Sequence, residues 1–161
     1  MKKRDINFRI EEYIVNLRAV AIIVNDKKVL FQKRKQDEFW ALPGGKIRVG
    51  ETGEETILRE LSEEIGVNNC FVERMQSVSE YFFEFGEDKY HQYILAYVVK
   101  VNDNDILSNI EFEGIEKNEN LVFKWFDIDT INEAPIKPDF LKSHLSNLDK
   151  ISETIFVSYK D

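Results

Sequence analysis

The sequence predicts an α/β sandwich, and three observations carry that expectation. β-branched and aromatic runs recur along the chain, one central segment has helical periodicity with both ends marked, and a shorter helical pattern lies near the C-terminus. With 161 residues, 43% of them hydrophobic, the chain is long enough for one well-buried core and short for two. A single domain over 1–161 is therefore expected.

LRAVAIIV, the turn NDKK and VLFQKR predict a hairpin, because β-branched runs flank an Asn-Asp turn signal; the first strand should be buried on both faces. FWALPGGKIRVGE is too rich in Pro and Gly for regular structure and predicts a loop and short strand leading into the helix. Thr52 with Glu55 three residues on makes a capping box, and Gly66 ends that helix. CFVERMQSVSEYFFEFGE and KYHQYILAYVVKV predict two long strands around an exposed Gly-Glu-Asp-Lys turn. From Asn102 to Asn120 the chain is polar and acidic with scattered Ile, Leu and Phe, which predicts a long mobile loop. LVFKWFDI recovers strand character. PDFLKSHLSNL, with Pro138 near its start and Phe140, Leu141, Leu145 and Leu148 on a narrow stripe, predicts a second helix, and ETIFVSY a closing strand. No repeat, low-complexity tract or Pro- or Ser-rich linker marks a domain boundary.

A net charge of −8 argues against gripping a long nucleic acid through a broad basic face, yet suits a small phosphorylated ligand neutralised by metal. One cysteine, Cys70, excludes an internal disulfide, and MKKRDINFRI lacks the apolar run of a signal peptide. The longest apolar run, AVAIIV, falls well short of the roughly 18 to 20 residues that cross a bilayer. The expected compartment is the cytoplasm, with no membrane partner.

The chemistry concentrates in GKIRVGETGEETILRELSEEIGV, Gly45 to Val67. At about 100° per residue, Glu60, Glu63 and Glu64 fall within a sector of roughly 100°. Ile57, Leu58, Leu61 and Ile65 take an adjacent arc, so the helix can bury one face and keep its carboxylates together on another. Glu64 lies nearest the apolar edge and should be the least hydrated; a poorly hydrated carboxylate beside two others is best stabilised by a divalent metal. Acidic clusters on helices are otherwise usually solvated faces, and Glu55, Arg59 and Glu63 at i, i+4 spacing also fit plain surface pairs.

The spacing decides between these readings. Gly45, five residues, Glu51, seven residues, Arg59-Glu60-Leu61, one residue, Glu63-Glu64, one residue, then Gly66-Val67 resembles the Nudix box without departure. LRAVAIIV, FWALPGG and KWFDID resemble the same family's flanking strands and loop, with less specificity. The resemblance implies the Nudix fold, a mixed sheet between helices. It also implies a hydrolase of the phosphoanhydride bond in a nucleoside diphosphate linked to another moiety. Such a reaction needs phosphate charge neutralised, a water oriented and the leaving phosphate stabilised. Hard, oxygen-seeking Mg²⁺ does this, with Mn²⁺ as a substitute, and carboxylates suit it better than His or Cys.

By the same resemblance Glu60, Glu63 and Glu64 bind metal with help from the Gly45 carbonyl, while Arg59 and Glu51 pair to fix loop against helix. Glu64 is a candidate general base. In some relatives a glutamate on a later loop assists; Glu111, Glu113, Glu116 and Glu119 are the candidates, and Glu119 is preferred because it stands closest before the strand carrying Trp125. Arg48, within the box, is the better phosphate ligand; Lys33, Arg34 and Lys35 equally suit solvated charge. Gly44 and Gly45 serve either direct substrate contact or a turn that Pro43 rigidifies. Trp40, with Phe39, Tyr81, Phe82, Phe83 and Tyr90, offers a face for a nucleobase, although strand aromatics are more often core. His91 reads as a half-exposed strand residue. Oxidised deoxynucleoside triphosphates, nucleotide sugars, ADP-ribose and diadenosine polyphosphates all remain compatible. The proline that ADP-ribose hydrolases usually carry near Phe82 is absent, and so is the N-terminal mark of coenzyme A hydrolases. The resemblance also implies a homodimer. The alternative is a nucleotide-sensing or binding module that keeps the fold without turnover.

Overall fold

A computed structural model describes residues 3–148 and 155–160. The strands are β1 (Asn7–Ile10), β2 (Tyr13–Asn25), β3 (Lys28–Arg34), β4 (Gly44–Lys46), β5 (Cys70–Phe85), β6 (Asp88–Val101), β7 (Glu111–Glu113), β8 (Leu121–Asp127) and β9 (Ile155–Lys160). The helices are α1 (Gly53–Ile65), α2 (Asn104–Ser108) and α3 (Phe140–Ser146), with a 3-10 turn over Ile128–Glu133. The mixed sheet runs β7-β8-β3-β2-β6-β5-β9, with β1 and β4 also paired to β2. β2 and β6 are parallel, as are β5 and β9; the other ladders are antiparallel.

Two apolar layers cover the sheet. Ile57, Leu61 and Ile65 of α1 pack on Ala19, Ala21, Ile23, Leu30, Tyr97 and Phe123. Leu141 and Leu145 of α3 join Ile131 and Ile136 over Val20, Ile22, Phe31 and Val98 on the other face. Residues 19–23 of β2 are all buried, as a strand covered on both sides requires. Asp26 and Lys27 turn the first hairpin with φ of 47° and 63°, the left-handed pair that tight hairpins use. α1 begins and ends where its caps predict: Thr52 and Glu55 exchange side-chain bonds with each other's backbone N–H, and Gly66 closes the helix at φ 71°. Leu58, placed by the sequence on the apolar arc, is instead 41% exposed, and Thr56 is buried on the side where the helix meets the box loop.

The feature that builds the site is a split in the sheet. β2 and β3 pair only at Val24–Val29 and Asn25–Lys28, next to their turn. Beyond that they diverge, and β4 fills the gap, with Lys46, Gly45 and Gly44 opposite Arg18, Ala19 and Val20. Toward β3 this segment makes only the Gln32–Ala41 bridge.

The stretch from Asn102 to Asn120 departs from the expected mobile loop. Asp103 caps α2 by accepting from the N–H groups of Asp105 and Ile106, Ile106 is buried, and its carbonyl accepts from Trp125 Nε1 at 3.1 Å. Phe112 of β7 stacks on Phe123 with centroids 5.4 Å apart. A few well-placed apolar side chains anchor a segment whose average composition is polar. β1, the N-terminal part of β2 and the 3-10 turn are additions to the sequence reading. The opening of the predicted last strand, 153–154, lies outside the described residues. No helix among the described residues is long and apolar enough to cross a membrane.

An Ile106→Ala variant is expected to lose about 2 kcal/mol of unfolding free energy, measured by urea denaturation. A loss under about 0.5 kcal/mol, the range of ordinary surface substitutions, would show that α2 is not part of the core.

Candidate active site

Arg59 organises the carboxylates. Its Nε and one terminal nitrogen bind the two oxygens of Glu51 at 2.7 and 3.0 Å, and the second also reaches the Lys46 carbonyl at 3.3 Å. The remaining nitrogen contacts Glu60 at 2.6 Å and Glu63 at 3.2 Å. Glu51 further accepts from the Arg48 N–H and the Thr56 hydroxyl. The Arg59 bond, with these two, outweighs desolvation and holds the Glu51 carboxyl down at about 2. Arg59 itself is raised, because its bonds to Glu51 and Glu60 overcome burial. The pairing of Glu51 with Arg59 expected from the sequence is present, and it ties the loop to α1.

Glu64 behaves differently. It is 6% exposed, and its Oε2 is buried with no hydrogen-bond partner. Desolvation first, then the neighbouring Glu60 charge, pushes its carboxyl up to about 8 against the opposing pull of Arg18, with Glu116 and Glu119 adding to the rise. Glu60 is also raised by burial, against the attraction of Arg59. Glu63 is the most open of the three, with its side chain 42% exposed, and Arg48 lies 3.7 Å from it and 3.8 Å from Asp5.

Glycine is required where β4 meets these groups. A Cβ on Gly45 would fall 2.1 Å from Glu60 Oε1, and one on Gly44, whose φ is 145°, would fall 2.1 Å from the Ala19 carbonyl oxygen. The bonds Ala21 N–H to Pro43 O and Ile47 N–H to Leu17 O fix which pairs of the β2–β4 ladder are hydrogen-bonded. By their alternation Ala19–Gly45 is another such pair. The Gly45 carbonyl, expected to help hold metal, is thus directed into the ladder. The Gly44 carbonyl faces the opposite edge, where Arg18 at 3.3 Å and Gln32 Nε2 at 3.4 Å donate to it.

Of the later glutamates, Glu111 pairs with Lys124 at 3.6 Å, Glu113 with Lys35 at 2.6 Å and Glu119 with Arg34 at 2.7 Å. Only Glu116 and Glu119 stand among the charges acting on Glu64. Their loop is docked on α1 by the Ile115 N–H, which donates to the Glu64 carbonyl at 2.7 Å. Trp40 is 8% exposed in the α3-side core, edge-on to Phe126 and beneath Lys33. Its surface is taken up by packing. His91 and Phe82 lie together near the hairpin end, with His91 3.3 Å from Glu80. Arg18 and Gln32 escaped the sequence reading. The available signal was an arginine inside an otherwise apolar strand.

The donors here are oxygens, and the deepest one has no protein partner, which fits a hard divalent cation. Among the described residues no three acidic, His or Cys side chains already stand as a ligand cluster, since Arg59 draws Glu60 and Glu63 toward itself.

The Glu64 carboxyl binds its proton more tightly in the fold, at about 8, than the ordinary value of 4.5. Between those values the folded state holds more protons than the unfolded one, so this group's effect on stability turns unfavourable as pH rises toward 8. In EDTA, Glu64→Gln is expected to be more stable than the parent at pH 9 by on the order of 2 kcal/mol, and equal to it near pH 4. Thermal melts at the two pH values check this; an unchanged difference between them would contradict the burial argument.

Comparison with known proteins agrees with this arrangement. The NUDIX domain family matches residues 15–144. The chain is 44% identical over 71 residues to an ADP-ribose pyrophosphatase of Methanocaldococcus jannaschii, covering 42% of this chain and 41% of that one. It is 45% identical over 56 residues to an RNA pyrophosphohydrolase of Blochmanniella floridana, covering 35% of each. These alignments thus span well under half the length of either relative. A crystal structure of a NUDIX hydrolase from Nitrosomonas europaea superposes with a TM-score of 0.63 at 19% identity, over 91% of this chain and 79% of that one, and shares the fold. With the box intact from Gly45 to Val67, its glutamates gathered at a split sheet and the family matched over most of its length, the chain belongs to the Nudix family.

Proposed function

We propose that the protein is a divalent-metal-dependent hydrolase of the pyrophosphate bond in a nucleoside diphosphate linked to another moiety. The observation that carries this reading is Glu64, buried beside Glu60 with one oxygen unpartnered. Glu60, Glu63 and Glu64, with the Gly44 carbonyl, would hold Mg²⁺, and Mn²⁺ suits the same donors. When bound, the cation supplies charge neutralisation to the diphosphate and acidity to water. Arg48 and the Gly44 turn position the anionic substrate near the carboxylates. Water attacks one phosphorus, the bond to the bridging oxygen breaks, and Glu64 is the candidate acceptor of the water proton. Glu119 is the preferred helper from the later loop, provided that Arg34 releases it. Glu51 and Arg59 keep the loop and helix in register.

A second reading, nucleotide binding without turnover, draws on one observation: Arg59 already occupies Glu60 and Glu63. A panel of ADP-ribose, nucleotide sugars, diadenosine polyphosphates and oxidised deoxynucleoside triphosphates, assayed with Mg²⁺ and with EDTA, separates the two. Metal-dependent product release from one class supports the hydrolase; tight ligand binding with no product supports the binding module. Glu64→Gln is expected to lower kcat at least about 100-fold while folding normally. Glu119→Gln is expected to lower kcat by on the order of tenfold, short of a full general-base contribution, and Glu116→Gln less. The reverse ranking would transfer the helper role to Glu116.

A further inference from the structure

Arg18 interrupts the apolar run of β2 at the point where the sheet splits, opposite Lys46 of β4. An arginine costs more to bury there than its neighbours, so its partners matter. Its contact is the Gly44 carbonyl, which accepts from its guanidinium at 3.3 Å, while the Glu64 and Glu60 carboxyls attract it from beyond ion-pair distance. Those are three of the four groups proposed to hold Mg²⁺. Glu60 in turn packs against Gly45, next in the chain to the Gly44 carbonyl that Arg18 reaches.

We infer that Arg18 is a built-in placeholder: its guanidinium occupies the Gly44 carbonyl in the metal-free protein and yields that oxygen when a divalent cation arrives. Gln32 Nε2, 3.4 Å from the same carbonyl, keeps the Gly44 peptide oriented while Arg18 withdraws. Arg59 cannot take this part alone, because two of its nitrogens are committed to Glu51. Arg18 is therefore a positioning residue of the empty site.

The inference rests on the proposed metal-dependent reading, and its test has a sign that loss of structure does not mimic. A positive charge beside these oxygens opposes a dication, so removing it tightens metal binding. Titration calorimetry with Mg²⁺ alone is made on the wild type, on Arg18→Gln, which keeps a donor for Gly44 but no charge, and on Arg18→Lys, which keeps the charge. Arg18→Gln is expected to bind Mg²⁺ at least about tenfold more tightly than wild type, and Arg18→Lys to stay within about threefold of wild type. Unchanged or weaker Mg²⁺ binding by a folded Arg18→Gln overturns the placeholder. A second measurement needs no folded glutamine variant: the Arg18 side-chain nitrogen signal of the wild type, assigned through Arg18→Lys, should shift on saturation with Mg²⁺. A signal that does not move overturns the inference as well. Wild-type protein that neither binds Mg²⁺ nor turns over any diphosphate sinks the hydrolase reading itself, which separates the two failures.

Discussion

The fork between Arg59 and Glu51 is the contact on which the site depends. A guanidinium and a carboxylate meeting through two bonds have a fixed relative orientation, and this pair is largely shielded, with side-chain exposures of 16% and 9%. Glu51 lies in the loop after β4 and Arg59 in the second turn of α1, so the pair sets how the helix stands on the loop. Because Glu60 and Glu63 also lean on Arg59, the same cation that locks the frame holds the carboxylates in place. Structure and proposed chemistry are thus joined through one side chain. Changes at Arg59 should not be read as effects on metal binding alone.

Electrostatically the site is a crowd of anions managed by two internal cations and burial. Glu51, in the loop and saturated by donors, ionises with ease, whereas Glu64, buried on the helix and lacking such donors, resists ionisation. The sequence has the same residue type at both positions. What separates them is burial beside Glu60, which raises Glu64, against the N–H and O–H groups that the fold aims at Glu51. A chain of net charge −8 that gathers still more acid at one point needs a compensating charge there, from within or from a ligand.

Much of this was legible in advance, and the reasons are local. Thr52, Glu55 and Gly66 act within a few residues of themselves, so α1 could be bounded from the sequence; the box spacing carried the Glu51–Arg59 pair and the depth of Glu64. What could not be read depended on chain direction or distant packing. Choosing between the Gly44 and Gly45 carbonyls requires the phase of the β2–β4 ladder. Arg18 and Gln32 sit on two strands that part company, and no periodicity reveals that divergence. Around Ile106 and Phe112 average polarity hid a few anchoring contacts. Trp40 illustrates the opposite ambiguity: an aromatic before a glycine loop suits a base or a core equally, and the chain folds it into the core.

β2 pairs with β1, β3, β4 and β6, more neighbours than any other strand among the described residues has. A slip of one residue along it would turn Arg18 away from the Gly44 carbonyl and break four ladders together. Amide protons at the middle of β2 should therefore exchange with solvent only through opening of the whole domain, and never by local fraying. The part of the molecule that sets the alignment of the site is also the part that thermal fluctuation disturbs least.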